Sequence, residues 1–185
     1  MTYDLLLLAH ILAALAWLGA GFTFLVLLSM AARRGDDTTT VKLLGYSTDL
    51  GLRLFVPASL ATFVFGALLV ADGPWTADQL WIGIALAGYA VTFLTGVLVA
   101  KPRGERLDAL IAQNGGVLGP EAREEVGRLL LIGRLDYAVL LAVVADMALK
   151  PTADDGGALA VIAAIVVGGL LLVGSRARRL AAAPA

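Results

Sequence analysis

Apolar positions along this chain run continuously rather than alternating. Five stretches approach or exceed the roughly 20 residues that cross the hydrocarbon of a bilayer: about 5–31, 52–71, 80–100, 129–149 and 158–174. Strict alternation would mark half-buried strands; unbroken runs of this length predict helices. A helix closes its backbone hydrogen bonds within itself, as hydrocarbon demands. The expected fold is therefore all-α: a polytopic membrane bundle of five transmembrane helices in one domain over residues 1–185. The fifth run is short and rich in glycine ("IVVGGLLLVG") but carries no charge.

The polar intervals orient the spans. The first holds Arg33, Arg34 and Lys42, with Arg53 at its edge, whereas the second, "DGPWTADQ", has no basic residue. The third holds Lys101, Arg103, Arg106, Arg123 and Arg128. The fourth sets Lys150 against Asp154 and Asp155, and the tail carries Arg176, Arg178 and Arg179. Basic residues collect on the cytoplasmic side. The alternation predicts an outside N-terminus, a cytoplasmic C-terminus and a multi-pass protein of the bacterial cytoplasmic (inner) membrane. Trp75 and Trp81 flank the outer loop, where interfacial anchors sit. No basic residue precedes the first run, so it reads as a retained span and not a cleaved leader.

The third interval, about 103–128, has a pattern of its own. "RLDALIAQ" puts Leu107, Leu110 and Ile111 on one helical face, which predicts an amphipathic helix lying on the inner membrane surface. "NGG" ends it. Pro120, with Glu121, Glu124 and Glu125, suits the first turn of a new helix that runs on into the fourth span. Pro57 predicts a kink in the second span.

Composition agrees. The chain is 59% hydrophobic and only 16% charged, too apolar for one small soluble core. The net charge of −1 gives no footing for nucleic acid. The absence of cysteine excludes disulfides, thiol nucleophiles and thiolate metal sites. The partners expected are the lipid bilayer and a second copy or another membrane subunit.

Ionisable side chains within apolar spans are costly and mark candidate sites. His10, the only histidine, shares a helical face with Ala14, Trp17 and Gly21. Such a face could dock a flat macrocycle with an imidazole nitrogen on its iron. The plainer reading is that small residues let helices approach and His10 bonds a neighbouring helix. Asp146 sits at a depth similar to His10. It could hold the second imidazole nitrogen, form a proton-coupled pair with it, or reach interfacial water. Asp49, Arg53, Arg134 and Asp136 group at the cytoplasmic ends of spans two and four, as a packing cluster of ion pairs or as a gate.

"HILAALAWLGAGF" resembles the first span of the membrane form of protoporphyrinogen oxidase and of the copper-resistance D membrane domain. From about Leu5 to Pro151 the chain resembles a bacterial family of predicted integral membrane proteins of unassigned function. The shared plan is a histidine-bearing span, a basic loop, a proline-bearing span, a tryptophan-bearing outer loop and a basic amphipathic segment before the fourth span. The oxidase-like resemblance implies a b-type haem on His10; in a haem-binding reading Trp17 would pack on the ring and Asp146 would orient the imidazole. The chain departs from those relatives in having no further histidine. Three readings stay open: haem-linked electron transfer or porphyrin handling, a small-ion or solute transporter using the span-four charges, and a non-catalytic membrane scaffold.

Overall fold

The computed structural model describes residues 2–181, with side chains as far as Ser175, so Arg176, Arg178 and Arg179 lie outside the described side chains. Secondary structure is helical throughout the described residues. The chain sorts into two compact units, Met1–Ala77 and Asp78–Ala185, each described by itself.

In the first unit, α1 (Thr2–Arg34) ends where Gly35 takes a left-handed conformation, φ +66°. The N–H of Asp36 then reaches back to the Ala31 carbonyl, and that of Gly35 to Ala32. This doubly bonded stop satisfies the last carbonyls of the helix. Asp36 at once starts α2 (Asp37–Leu50), its Oδ1 accepting the Thr39 N–H at 3.0 Å. That backbone hydrogen bond holds the Asp36 carboxyl below the usual carboxylate range. Most of the first polar interval is thus helix. α2 turns Thr40 and Leu44 inward and packs on α1.

α2 passes into α3 (Val56–Asp72) through one π-helical turn, Gly51–Phe55. The Val56 N–H bonds the Gly51 carbonyl, five residues back, immediately before Pro57. Proline lacks an N–H and crowds the carbonyl four residues before it; the wider turn relieves that crowding. The expected kink is therefore realised as a π-turn. α1 and α3 form the main packing of the unit.

In the second unit, α4 (Leu80–Thr95) continues through a second π-turn, Gly96–Ala100, into α5 (Lys101–Gln113). The device is the same: Lys101 N–H bonds the Gly96 carbonyl, and Pro102 follows. Gly115 and Gly116, both at positive φ, stop α5, as "NGG" predicts. α6 (Pro120–Leu149) begins at Pro120, and α7 (Gly156–Ala181) completes the unit.

Part of the apolar face of α5 is covered by protein. Leu107 is buried together with Leu118, Ala122 and Val126, and α5 packs on α6. Leu110 and Ile111 stay half-buried, so the first half of α6 covers the stripe chiefly at Leu107.

Four helical segments are long and apolar enough to cross a membrane: Thr2–Arg34, Asp37–Asp72, Leu80–Gln113 and Gly156–Ser175. Their outward side chains are large and apolar, with Leu15, Leu52, Leu98 and Leu171 among the most exposed. Hydrocarbon is the medium that suits such a surface. The fifth long helix, α6, differs in carrying Arg134, Asp136 and Asp146 within its apolar half.

Candidate functional site

His10 lies on the face of α1 that meets α3. Its Nδ1 is 2.9 Å from the carbonyl oxygen of Thr62. A carbonyl can only accept, so Nδ1 carries the proton and donates. In the neutral ring the lone pair is then on Nε2. Thr62 turns its own hydroxyl back to the Ala58 carbonyl at 2.8 Å, so the imidazole is the cross-helix donor to this part of α3. One turn on, Gly66 faces the ring: a Cβ there would stand 3.2 Å from His10 Cε1. The imidazole thus rests against a backbone carbonyl and a glycine of the same helix. At the end of α1 nearer its start, Trp75 Nε1 donates to the Tyr3 hydroxyl at 3.3 Å, tying the loop after α3 to α1.

Ala14, Trp17 and Gly21 share the His10 stripe, and all are half-buried. The stripe is therefore at least in part a packing seam. Further along α1 an open groove of about 580 Å³ lies between α1 and α2. Gly19, Ala20 and Phe24 contribute to its walls, with Tyr46, Asp49 and Arg53 at the polar edge. It does not reach His10.

Asp146 is in the second unit, and the imidazole nitrogen bound in the first is held by Thr62, not by a carboxylate. Asp146 is 0% exposed, and neither carboxylate oxygen has a hydrogen-bond partner among the described residues. The expectation that it could reach interfacial water is not met. α6 is closely packed against α4 and α7. A Cβ on Gly88 of α4 would meet Val143 Cγ2 of α6 at 2.3 Å, and one on Gly169 of α7 would meet Ala138 Cβ of α6 at 2.3 Å. α6 ends at Lys150, whose left-handed backbone, φ 46°, turns the chain sharply into the buried Pro151. The Lys150 ammonium lies over the ring of buried Trp81, 5.7 Å from its centre. Trp81 is therefore a packed cation–π partner, beyond the interfacial anchor its sequence position suggests.

The four expected cluster residues divide between the units. Asp49 and Arg53 pair with one another one turn apart at 3.7 Å, with side chains 68% and 83% exposed. Arg134 and Asp136 stand half-buried on α6. A stronger pair went unnoticed in the sequence: Arg103 Nη1 donates to Glu125 Oε1 at 2.8 Å, and Glu125 is only 3% exposed. Arg128 lies within reach of both Glu124 and Glu125. This network locks α5 to α6 beside the buried Leu107. Among the described residues no group of three or more His, Cys, Asp or Glu is placed to hold a metal ion.

A family model described as "predicted integral membrane protein" (DUF2269) matches residues 4–151. The chain belongs to this family. The matched stretch of the DUF2269 protein takes in His10, both π-turns, the Arg103–Glu125 pair and Asp146, and ends at Pro151. All of α7 lies beyond it. No curated protein and no solved structure matches.

Proposed function

We propose that this DUF2269 protein binds a b-type haem within the membrane, with His10 Nε2 as the axial ligand. The observation that carries the reading is the hydrogen bond from His10 Nδ1 to the Thr62 carbonyl. Metal-ligating histidines characteristically donate their other ring N–H to a carbonyl or carboxylate, which fixes the tautomer and orients the ring. Gly66, one turn further along α3, leaves room for the ring in that orientation. The donor set fits one axial bond from this chain. A second histidine ligand would come from His10 of a second copy, in keeping with a homo-oligomer. Haem in this position would supply one-electron chemistry or a means of holding a porphyrin in the bilayer; His10 binds and orients it, and Trp17 packs on the same stripe.

The test is an absorption spectrum of the full-length protein purified after expression with ample haem supply. A Soret band in the wild type, lost in His10→Ala, is the expected result. A colourless wild type overturns the reading.

The wider assignment is a multi-pass protein of the bacterial inner membrane with five crossings, α6 being the fourth. It rests on the alternation of basic and non-basic intervals. A reporter fused after Ala185 should be active only on the cytoplasmic side, and protease added outside intact cells should not cut at Arg123. External cutting there would overturn the orientation. A second reading, ion or solute transport, is favoured by the gathering of Arg134, Asp136 and Asp146 on one helix. Ion flux in proteoliposomes, abolished by substitution at Arg134 or Asp146, would support it over the haem reading.

A further inference from the structure

We infer that Asp146 is the binding site of a small monovalent cation, a proton or a sodium ion, enclosed within the second unit. A buried ionised carboxylate needs donors or a counter-charge. Asp146 is wholly buried, and both its oxygens are without a hydrogen bond among the described residues.

The surrounding elements bring little charge to it. α4 has no charged residue from Leu80 to Thr95, and its one ionisable side chain, Tyr89, stacks on Phe93 at 6.1 Å between ring centres. α7 has no charged or ionisable residue from Gly156 to Ser175. On α6 itself, Asp136 and Arg134 lie about 15 and 18 Å back along the axis. Lys150 follows one turn later, but its ammonium is placed over Trp81. In the loops, Asp154 and Asp155 precede α7 and Asp78 precedes α4; the Asp155 carboxylate accepts from the Thr152 N–H at 3.1 Å.

Size sets the class of ligand. Gly88 brings α4 against Val143, one turn before Asp146 on α6, so closely that a methyl group does not fit there. Such packing suits a proton or a bare alkali ion far better than an organic substrate. The site stands apart from the haem reading, since it uses no atom of His10.

The test is infrared difference spectroscopy of the full-length protein between low and high pH, which detects the C=O stretch of a protonated carboxyl and needs no reagent to reach it. We expect a protonated-carboxyl band in the wild type and in Asp136→Asn, and its absence in Asp146→Asn. Raising the pH should remove it in either case. Loss of the band on adding sodium at fixed pH, with choline as the control cation, identifies sodium as an occupant; indifference to sodium leaves the proton alone. A wild type that lacks the band at every pH without sodium, or whose band ignores both pH and sodium, overturns the inference.

A second measurement guards against misfolding. The wild-type melting temperature in detergent should shift with pH or sodium, and that shift should vanish in Asp146→Asn. An equal shift in both proteins overturns the inference. His10→Ala should keep the Asp146 carboxyl band whether or not the protein is coloured, so this outcome and that of the haem test are separable.

Discussion

The two units treat a lone ionisable group in opposite ways. In the first, His10 has a backbone carbonyl for a partner and a Cβ on Gly66 would press on its imidazole, while further along the same helix Gly19 has nothing within 4 Å and a groove opens. In the second, Asp146 has no partner, and a Cβ on Gly88 of α4 would overlap Val143 one turn before it. A satisfied imidazole can present its second nitrogen to a ligand. An unsatisfied carboxylate in a tight seam can take only something small. The contrast separates a candidate cofactor ligand from a candidate ion site without reference to either ligand.

The sharpest way to break this contrast is through the ion pairs. Glu125→Ala removes a buried carboxylate held by Arg103 and should cost roughly 2–4 kcal/mol of unfolding free energy in detergent, less than a fully buried pair because Arg103 stays partly solvated. Asp49→Ala, which removes half of an exposed pair in the first unit, should change stability by no more than about 0.5 kcal/mol. Equal losses would show that the units are not held as differently as their geometry indicates.

Next come the glycines. Gly169→Leu places a branched side chain against Ala138, whose Cβ cannot move without its backbone, and should cost about 1–3 kcal/mol. Gly19→Leu meets open space and should stay within about 0.5 kcal/mol. Thermal unfolding of the two variants side by side decides the point.

The histidine seam should respond more gently. His10→Ala gives up one neutral cross-helix hydrogen bond, worth about 1 kcal/mol. The Thr62 carbonyl keeps its place in the α3 ladder, so no orphan acceptor is left behind. A loss as large as that of Glu125→Ala would mean that the seam is tighter than Gly19 and the groove indicate.

The smallest effect is expected at Asp36. Its carboxyl titrates below the ordinary value because the Thr39 N–H binds the charged form. Its contribution is therefore present above the unfolded-state value and lost as pH falls through the lower folded-state value. Asp36→Ala should flatten the acid limb of the stability profile and do little else. An unchanged acid limb would remove the cap from the account of α2.

Much of this architecture was legible in the chain. Unbroken apolar runs gave the long helices, "NGG" gave the stop after α5, and Pro120 with its following glutamates gave the start of α6. The start of α2 was also written, in "RRGDDT", as a stop glycine followed by a capping aspartate. It was hidden because three threonines dilute the helical pattern. The π-turns had a signal too: Gly51 to Pro57 and Gly96 to Pro102 share one spacing. What covers α5 was not legible, because an amphipathic stripe is indifferent to whether lipid or protein lies over it. The partner of His10 was not legible either, since a backbone carbonyl leaves no mark in a pattern of side chains. The burial of Asp146 depends on how the helices of the second unit pack, which no local window contains.

The turn at Gly51–Phe55 has a consequence for how α2 and α3 can evolve. A π-turn takes up one extra residue locally, so the helix on either side keeps the phase it would have without that residue. Thr40 and Leu44 on one side of the turn, and Thr62 and Gly66 on the other, would therefore keep their facing to α1 if a single residue between Leu52 and Phe55 were deleted. The deletion would instead press Pro57 against the carbonyl four residues before it, so the proline and the extra residue can be lost only together.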